Sequence, residues 1–136
     1  SKYILENRDE YYQKLNNVTY KNEWKEWVLY MLDAFEVQSK YTLDVLTRLQ
    51  EFSENLRKTI KAYSNTGKAD EILSLIYGNP YFTQRQFEDE VGVSPATARK
   101  YLLEMESRNI VKRKKQPKRN RYLYVCPEYI RILKKV

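Results

Sequence analysis

The 136-residue sequence contains no histidine, and this absence excludes several kinds of active site. Without histidine the chain cannot form a serine–histidine–aspartate or cysteine–histidine catalytic group, a histidine metal site or a histidine pH switch. Its single cysteine, Cys126, excludes an internal disulfide and a thiolate zinc site. The glycines, Gly67, Gly78 and Gly92, are too far apart for a glycine-rich phosphate-binding loop. We therefore expect no catalytic residue, metal or cofactor in this chain.

Long apolar runs are also missing from the sequence. No run approaches the ~18 residues that span a bilayer, and no segment resembles a signal peptide. Apolar residues nevertheless make up 42% of the chain and aromatic residues 14%, which is enough to bury a core. Together with the single cysteine, this composition predicts a cytoplasmic protein of one domain or two small ones, with no membrane contact.

The positive charge of the chain is concentrated near its C-terminus. The formal net charge is +7, but residues 94–136 contain thirteen lysines and arginines and only three acids, a local charge of +10. The other 93 residues contain twelve basic and fifteen acidic side chains, a charge of −3. A local excess of this kind is typical of a module that binds a polyanion.

The first half of the sequence is predicted to be helical. Residues 2–17 form one amphipathic helix, followed by a short break at 18–21. Residues 22–63 contain no glycine or proline, and their apolar side chains recur every three or four residues, interrupted by Gln38 and Thr42. This pattern predicts one very long helix or two helices with a bend near 38–42.

The later part of that repeat suits a seam between helices. Two interpretations stay open at this point: the seam packs within the chain or its larger parent, or it joins two copies into a homodimer. The residues of this possible dimer seam are Val45, Leu49, Phe52, Leu56 and Ile60.

The polar residues 64–68, which include Gly67, predict a hinge and a domain boundary between residues 1–63 and 69–136. After the hinge the sequence predicts three short helices, a basic hairpin and a last helix. These elements are residues 69–77, 83–91, 95–109, 111–126 and 127–135. The fold class is therefore mostly α, with a winged helix-turn-helix domain and a small β-hairpin after the long helix.

Local signals support the two central helices of this domain. Thr83 and Gln86 have the spacing of a capping box, and Gly92 provides the residue that a tight turn between the helices needs. Ser94 is a favourable N-cap, and Pro95 suits the first helical position because its missing N–H is not needed there.

Two elements are candidates for nucleic-acid binding. They are the helix that follows this turn, residues 95–109, and the basic hairpin, residues 111–126. In a helix-turn-helix the second helix lies in the major groove, where Arg99 and Lys100 face outward early enough to contact bases. Ala96 and Leu103 share that face and make a poor base-reading surface. The predicted binding residues for double-stranded DNA are Thr83, Gln84, Ser94, Thr97, Arg99, Lys100, Lys112, Arg113, Lys114, Lys115, Lys118, Arg119 and Arg121. The alternative is a protein-interaction, dimerisation or autoregulatory module whose basic run is merely solvated.

Two segments resemble the region that follows the active-site motif in Fic-family proteins. Residues 1–18 match a pattern S-[RK]-Y-I-x-x-N-[RK]-x-x-Y-Y-x-x-L, and residues 22–36 match W-x-x-W-[IV]-x-[FY]-M-L. Many bacterial members of the family end in a winged helix similar to residues 69–134. The resemblance implies a parent that transfers AMP from ATP, with Mg²⁺, to a hydroxyl of a target protein.

That family performs its chemistry with a motif of the form HPFxxGNGR, which a chain without histidine cannot contain. We therefore interpret the chain as a non-catalytic C-terminal fragment of a Fic-family adenylyltransferase, with no catalytic residue of its own. ATP and Mg²⁺ are expected only for the parent. A DNA-binding winged helix would target or regulate that parent, whose target protein the sequence does not specify.

Overall fold

Seven helices and three short strands make up the part of the chain that the computed structural model describes, residues 1–63, 67–117 and 121–134. The elements are α1 (Lys2–Glu6), α2 (Arg8–Lys21), α3 (Trp24–Tyr63), α4 (Ala69–Gly78), β1 (Tyr81–Phe82), α5 (Gln84–Val91), α6 (Pro95–Ser107), β2 (Lys112–Lys115), β3 (Tyr122–Val125) and α7 (Pro127–Leu133). The fold is mostly α, as predicted, and none of the described helices has an apolar stretch that could cross a membrane.

The residues form two compact units, which divide between Thr47 and Arg48. The first unit contains α1, α2 and the first half of α3, and the second unit contains the second half of α3 and every later element. The boundary predicted at 64–68 stays a prediction, because residues 64–66 lie outside the described residues. Helical residues 48–63, which we had assigned to the N-terminal domain, group with the second unit.

The start of the first unit differs from the prediction of a single helix over 2–17. The helix is interrupted at Asn7, whose side-chain amide donates to the Tyr3 carbonyl at 2.9 Å and competes with the helical backbone pattern. The predicted break at 18–21 is also wrong. No glycine or proline interrupts this stretch, so α2 continues to Lys21 and ends at Asn22, which has a left-handed φ of 56°.

Aromatic side chains hold the first unit together. The Trp27 ring lies 5.3 Å from that of Tyr11 on α2 and 6.3 Å from that of Tyr30, and Tyr30 in turn lies 6.0 Å from Tyr3 on α1. Burial raises the pKa of Tyr30. Further along α3, the Lys2 ammonium donates to the Tyr41 hydroxyl at 3.4 Å. The two short helices therefore pack on one side of α3.

The long helix α3 is continuous through residues 38–42, so the first of the two predicted arrangements is confirmed. Gln38 and Thr42 do not break it because neither is a strong helix breaker, and the Thr42 hydroxyl donates to the Gln38 carbonyl at 2.9 Å. With 40 residues, α3 is about 60 Å long at 1.5 Å per residue.

The second unit has the element order of a winged helix-turn-helix. Helices α4, α5 and α6 are followed by the antiparallel hairpin β2–β3, and the two-residue strand β1 joins the sheet in the order β1-β3-β2. Strand β1 was not predicted, since two residues are too few for a period-2 pattern to be visible. We call the two strands β2 and β3 the wing.

Apolar side chains from helices α4, α5 and α6 and from the sheet form much of the core of the second unit. The Phe82 ring stacks against Phe87 on α5 and Tyr124 on β3, with ring centres about 6 Å apart in both pairs. The remaining side chains that are almost fully buried include Ile60, Ile72, Leu75, Ile76, Val91, Leu102, Met105, Val111 and Cys126. This packing fixes the orientation of α6 and of the wing.

The proposed dimer seam is covered within the chain. Val45, Phe52, Leu56 and Ile60 are buried in the single chain, and Leu49 is half-buried. In the second unit the Phe52 ring lies 6.4 Å from that of Tyr77 and 6.0 Å from that of Tyr129. The burial of these residues agrees with the first interpretation, packing within the chain, and the homodimer seam stays a prediction.

Candidate nucleic-acid interface

The turn between α5 and α6 follows the local signals in the sequence. The Thr83 hydroxyl accepts from the Gln86 N–H at 3.3 Å, and the Gln86 side chain accepts from the Thr83 N–H at 2.9 Å, so the capping box is formed. Gly92 ends α5 with φ 70° and ψ 50°, a left-handed conformation that glycine adopts without strain. The predicted capping role of Thr83 and the turn role of Gly92 are confirmed, and the DNA contact of Thr83 stays a prediction.

The start of α6 uses two of the predicted phosphate-binding hydroxyls for its own capping. The Ser94 hydroxyl accepts from the Thr97 N–H at 3.3 Å and donates to the Thr97 hydroxyl oxygen at 2.9 Å. Pro95 occupies the first turn, as predicted. A phosphate at this position would therefore have to share Ser94 with the helix.

The outward face of α6 is the one predicted. Ala98, Leu102 and Met105 are buried, whereas Arg99 and Lys100 are exposed. Leu103, which is 56% exposed, lies on the same outward side and offers no hydrogen bond to a base. Two cations and one apolar side chain thus dominate the surface that this helix presents.

The wing divides its basic side chains between the two faces of the sheet. Successive side chains of a strand point to opposite faces, so Arg113 and Lys115 share one face with their β3 partners Tyr124 and Tyr122. We call this the helix-side face, because Phe82 on the same face stacks on α5. Lys112 and Lys114 lie on the opposite face, which we call the α7-side face. In the sequence these four residues form one uninterrupted basic strip.

The charge of Arg113 is partly neutralised by Glu106 on α6, an ion pair that was not predicted from the sequence. Its guanidinium lies 3.1 Å from the Glu106 carboxylate on α6 and 5.0 Å from the centre of the Tyr122 ring. Burial raises the pKa of nearby Tyr124, and the positive charges of Arg113 and Arg99 oppose that rise. Arg113 therefore helps to join the wing to α6, in addition to any contact with a ligand.

An open cleft of about 380 Å³ lies between the start of α5 and strand β3. The side chains that line it include Thr83, Gln84, Arg85, Glu88, Arg121 and Tyr122. Within it the Gln84 amide donates to the Glu88 carboxylate at 2.9 Å. The cleft thus brings Thr83 and Gln84 at the start of α5 together with Arg121, and it adds Arg85, which was not predicted.

Arg85 could have been found from the sequence. Phe87 and Val91 form the buried side of α5, and Arg85 lies on the exposed side near the helix start, beside Gln84. Its position against β3 could not have been found in this way, because that depends on how α5 packs on the sheet. Lys118 and Arg119 lie outside the described residues.

The described residues contain no group of three or more histidine, cysteine, aspartate or glutamate side chains that could hold a metal ion. Cys126 is 1% exposed, and burial raises the pKa of its thiol, so it is held as the poorly reactive neutral form.

A search of the chain against models of known protein families found no match. The resemblance of residues 1–18 and 22–36 to Fic-family proteins therefore stays a prediction.

Proposed function

We propose that the second unit binds double-stranded DNA through α6, the cleft beside α5 and the helix-side face of the wing. The observation that carries this proposal is the set of exposed cations that these three elements present. They are Arg85, Arg99, Lys100, Lys115 and Arg121. Such a set neutralises phosphates, which supply most of the affinity of a protein for DNA.

Contacts with the phosphate backbone dominate in this proposal, and base reading is minor. The outward face of α6 offers only Arg99 and Lys100 as long donors, with Ala96 and Leu103 beside them. The hydroxyls of Ser94 and Thr97 are engaged with each other. Phosphate contacts position a protein on the duplex but carry no sequence information, so we expect weak sequence preference.

The experiment is fluorescence anisotropy of a labelled random duplex at increasing salt concentration. If ~4–6 phosphates are neutralised, log K should fall with log[salt] with a slope of roughly −4 to −5. Arg85→Glu with Arg121→Glu should abolish binding at physiological salt. The control is Lys58→Glu with Lys61→Glu, which makes the same charge change on exposed positions of α3. Absent binding at low salt, or equal losses in the two double variants, would refute the proposal.

We also propose that this module belongs to a Fic-family adenylyltransferase and targets or regulates it. The support is the match of residues 1–18 and 22–36 to two patterns of that family. The deciding observation is the coding sequence upstream of Ser1. If that sequence encodes no HPFxxGNGR motif, the family assignment is wrong, while the DNA-binding proposal is unaffected.

A second candidate function, protein association, is favoured by the first unit. On α3 a line of large apolar side chains is about half exposed or more: Val28, Leu32, Phe35, Leu43 and Leu46. Their spacing places them on one face of the helix, and exposed apolar side chains repeated along one face favour an interaction surface. Sedimentation velocity of the chain over a range of concentrations tests self-association. A monomer at every concentration would exclude self-association, and protein association would then require a different protein as the partner.

A further inference from the structure

The α7-side face of the wing forms a second basic groove, on the opposite side of the sheet from the DNA-binding surface proposed above. It lies between the sheet and helix α7, has a volume of about 420 Å³, and is confined to the second unit. Two of its cations come from β2 and two come from α7 or the residue after it. They are Lys112, Lys114, Arg131 and Lys134.

The basic side chains of this groove have no acidic partner within it. No aspartate or glutamate is among the residues that line it. Within the part of the chain that the structure describes, none of the four cations forms an ion pair or a side-chain hydrogen bond. The helix-side face is different, because Glu106 pairs with Arg113 and Glu88 lines the cleft there. A ligand of this groove is therefore expected to be an anion with several negative charges.

The floor of the groove is apolar, which separates it from a surface for duplex DNA. Val125 is buried, Pro127 and Ile130 are half-buried, and Tyr81 at the rim is 50% exposed. A duplex presents phosphates and sugars and has no side chain that could fill a recess of this size. An extended peptide can place an apolar side chain on the floor while its acidic neighbours contact the lysines and arginines at the rim.

We infer that this groove binds an acidic peptide segment carrying an apolar anchor residue. The four cations provide charge complementarity, and Val125, Pro127 and Ile130 provide the pocket for the anchor. The inference goes beyond the proposed DNA binding and does not depend on it, because the two sites use opposite faces of the sheet. The alternation of side chains along β2 gives each site its own pair of basic residues.

The test uses a fluorescein-labelled synthetic peptide in which a leucine is flanked by aspartates and glutamates. A second peptide replaces every acid by its amide, and a third replaces the leucine by serine. Anisotropy with the full chain should show that the first peptide binds and that the second, without acids, does not bind. The third peptide, without the leucine, should bind at least about tenfold more weakly than the first, which corresponds to 1.4 kcal/mol.

Strand β2 supplies matched variants. Lys112→Glu with Lys114→Glu should weaken peptide binding at least about tenfold, whereas Arg113→Glu with Lys115→Glu, with the same charge change, should weaken it less than about threefold. Tyr81→Ala should also weaken it. Amide NMR spectra of the chain with peptide should show shifts concentrated around Tyr81, Ile130 and Arg131, and they also verify that each variant is folded.

Three results would overturn the inference. Equal losses in the two double variants would mean attraction to net charge alone. Undiminished binding of the serine peptide would mean that the apolar floor has no role. Displacement of the peptide by a single-stranded or duplex oligonucleotide, with the same dependence on Lys112 and Lys114, would mean that the groove binds nucleic acid. The Arg85→Glu, Arg121→Glu variant tests only the proposed DNA binding, so its result does not bear on the peptide groove.

Discussion

The two units of this chain differ in how much apolar surface they bury. Among the described residues, the first unit buries three apolar side chains, Tyr30, Ala34 and Val45, and the second buries twenty-one. Buried apolar surface is the main favourable term in folding, so cooperative stability belongs to the second unit. The first unit has helices but little core, and its α1 and α2 contain no buried residue.

Helix α3 shows the same difference within a single element. Before Thr47 its apolar side chains Phe35 and Leu43 are 61% and 62% exposed, whereas after it Phe52 and Leu56 are 5% and 4% exposed. Apolar side chains recur every three or four residues in both halves, with Gln38 and Thr42 as the interruption in the first half. Periodicity therefore indicates that a helix has an apolar face, but burial depends on which other elements pack there.

The largest expected difference in the free energy of unfolding is between alanine variants of Phe52 and Phe35, both on α3. Phe52→Ala should destabilise the chain by about 3–5 kcal/mol, because it removes a buried ring that contacts Tyr77 and Tyr129. Phe35→Ala should change the free energy of unfolding by no more than about 0.5 kcal/mol, because its ring is already exposed. Urea unfolding followed by circular dichroism measures both. A cost for Phe35→Ala as large as that for Phe52→Ala would show that the units do not differ.

A smaller effect comes from Gly92, whose left-handed conformation lies within the second unit. Gly92→Ala should cost about 1–2 kcal/mol, because a side chain disfavours φ of 70°. The added Cβ would meet its nearest atom, the Lys68 ammonium nitrogen, at 3.9 Å, an ordinary contact. Backbone strain is therefore the expected cause, and a lower urea midpoint is the expected observation.

Asn22, the left-handed residue that ends α2, provides the counterpart in the first unit. Asn22→Ala removes a residue that tolerates this conformation, together with the 2.8 Å hydrogen bond from the Trp24 indole. Because α2 buries no side chain, the loss should stay local, with faster amide exchange at the end of α2 and an unchanged urea midpoint. A midpoint shift equal to that of Gly92→Ala would show that the first unit unfolds cooperatively with the second.

Much of the second unit could be predicted from the sequence, because its signals are local. The capping box at Thr83, the turn at Gly92 and the start of α6 at Ser94 each depend on residues within a few positions. Arg99 and Lys100 face outward because the buried period of α6 determines the opposite face.

The parts that could not be predicted depend on packing between distant segments. The ion pair between Arg113 and Glu106 joins a strand to a helix, and its formation requires the register of the sheet. The separation of Lys112 and Lys114 from Arg113 and Lys115 also requires knowledge of which face of the hairpin contacts α5. For the same reason the repeat in α3 did not reveal that Phe52 packs within the chain.

A smaller effect than that of Gly92→Ala is expected from helix capping, again with one residue from each unit. Thr83→Ala should cost about 1 kcal/mol, because it removes the hydroxyl that accepts from the Gln86 N–H at the start of α5. Thr19→Ala should change stability by less than about 0.5 kcal/mol, since the Thr19 hydroxyl bonds the Leu15 carbonyl within α2 and alanine is the better helix former. Urea midpoints of the two variants measure the difference. Because Thr83 also lines the cleft beside α5, the alanine variant should in addition bind duplex DNA more weakly, and unchanged binding would remove Thr83 from the interface.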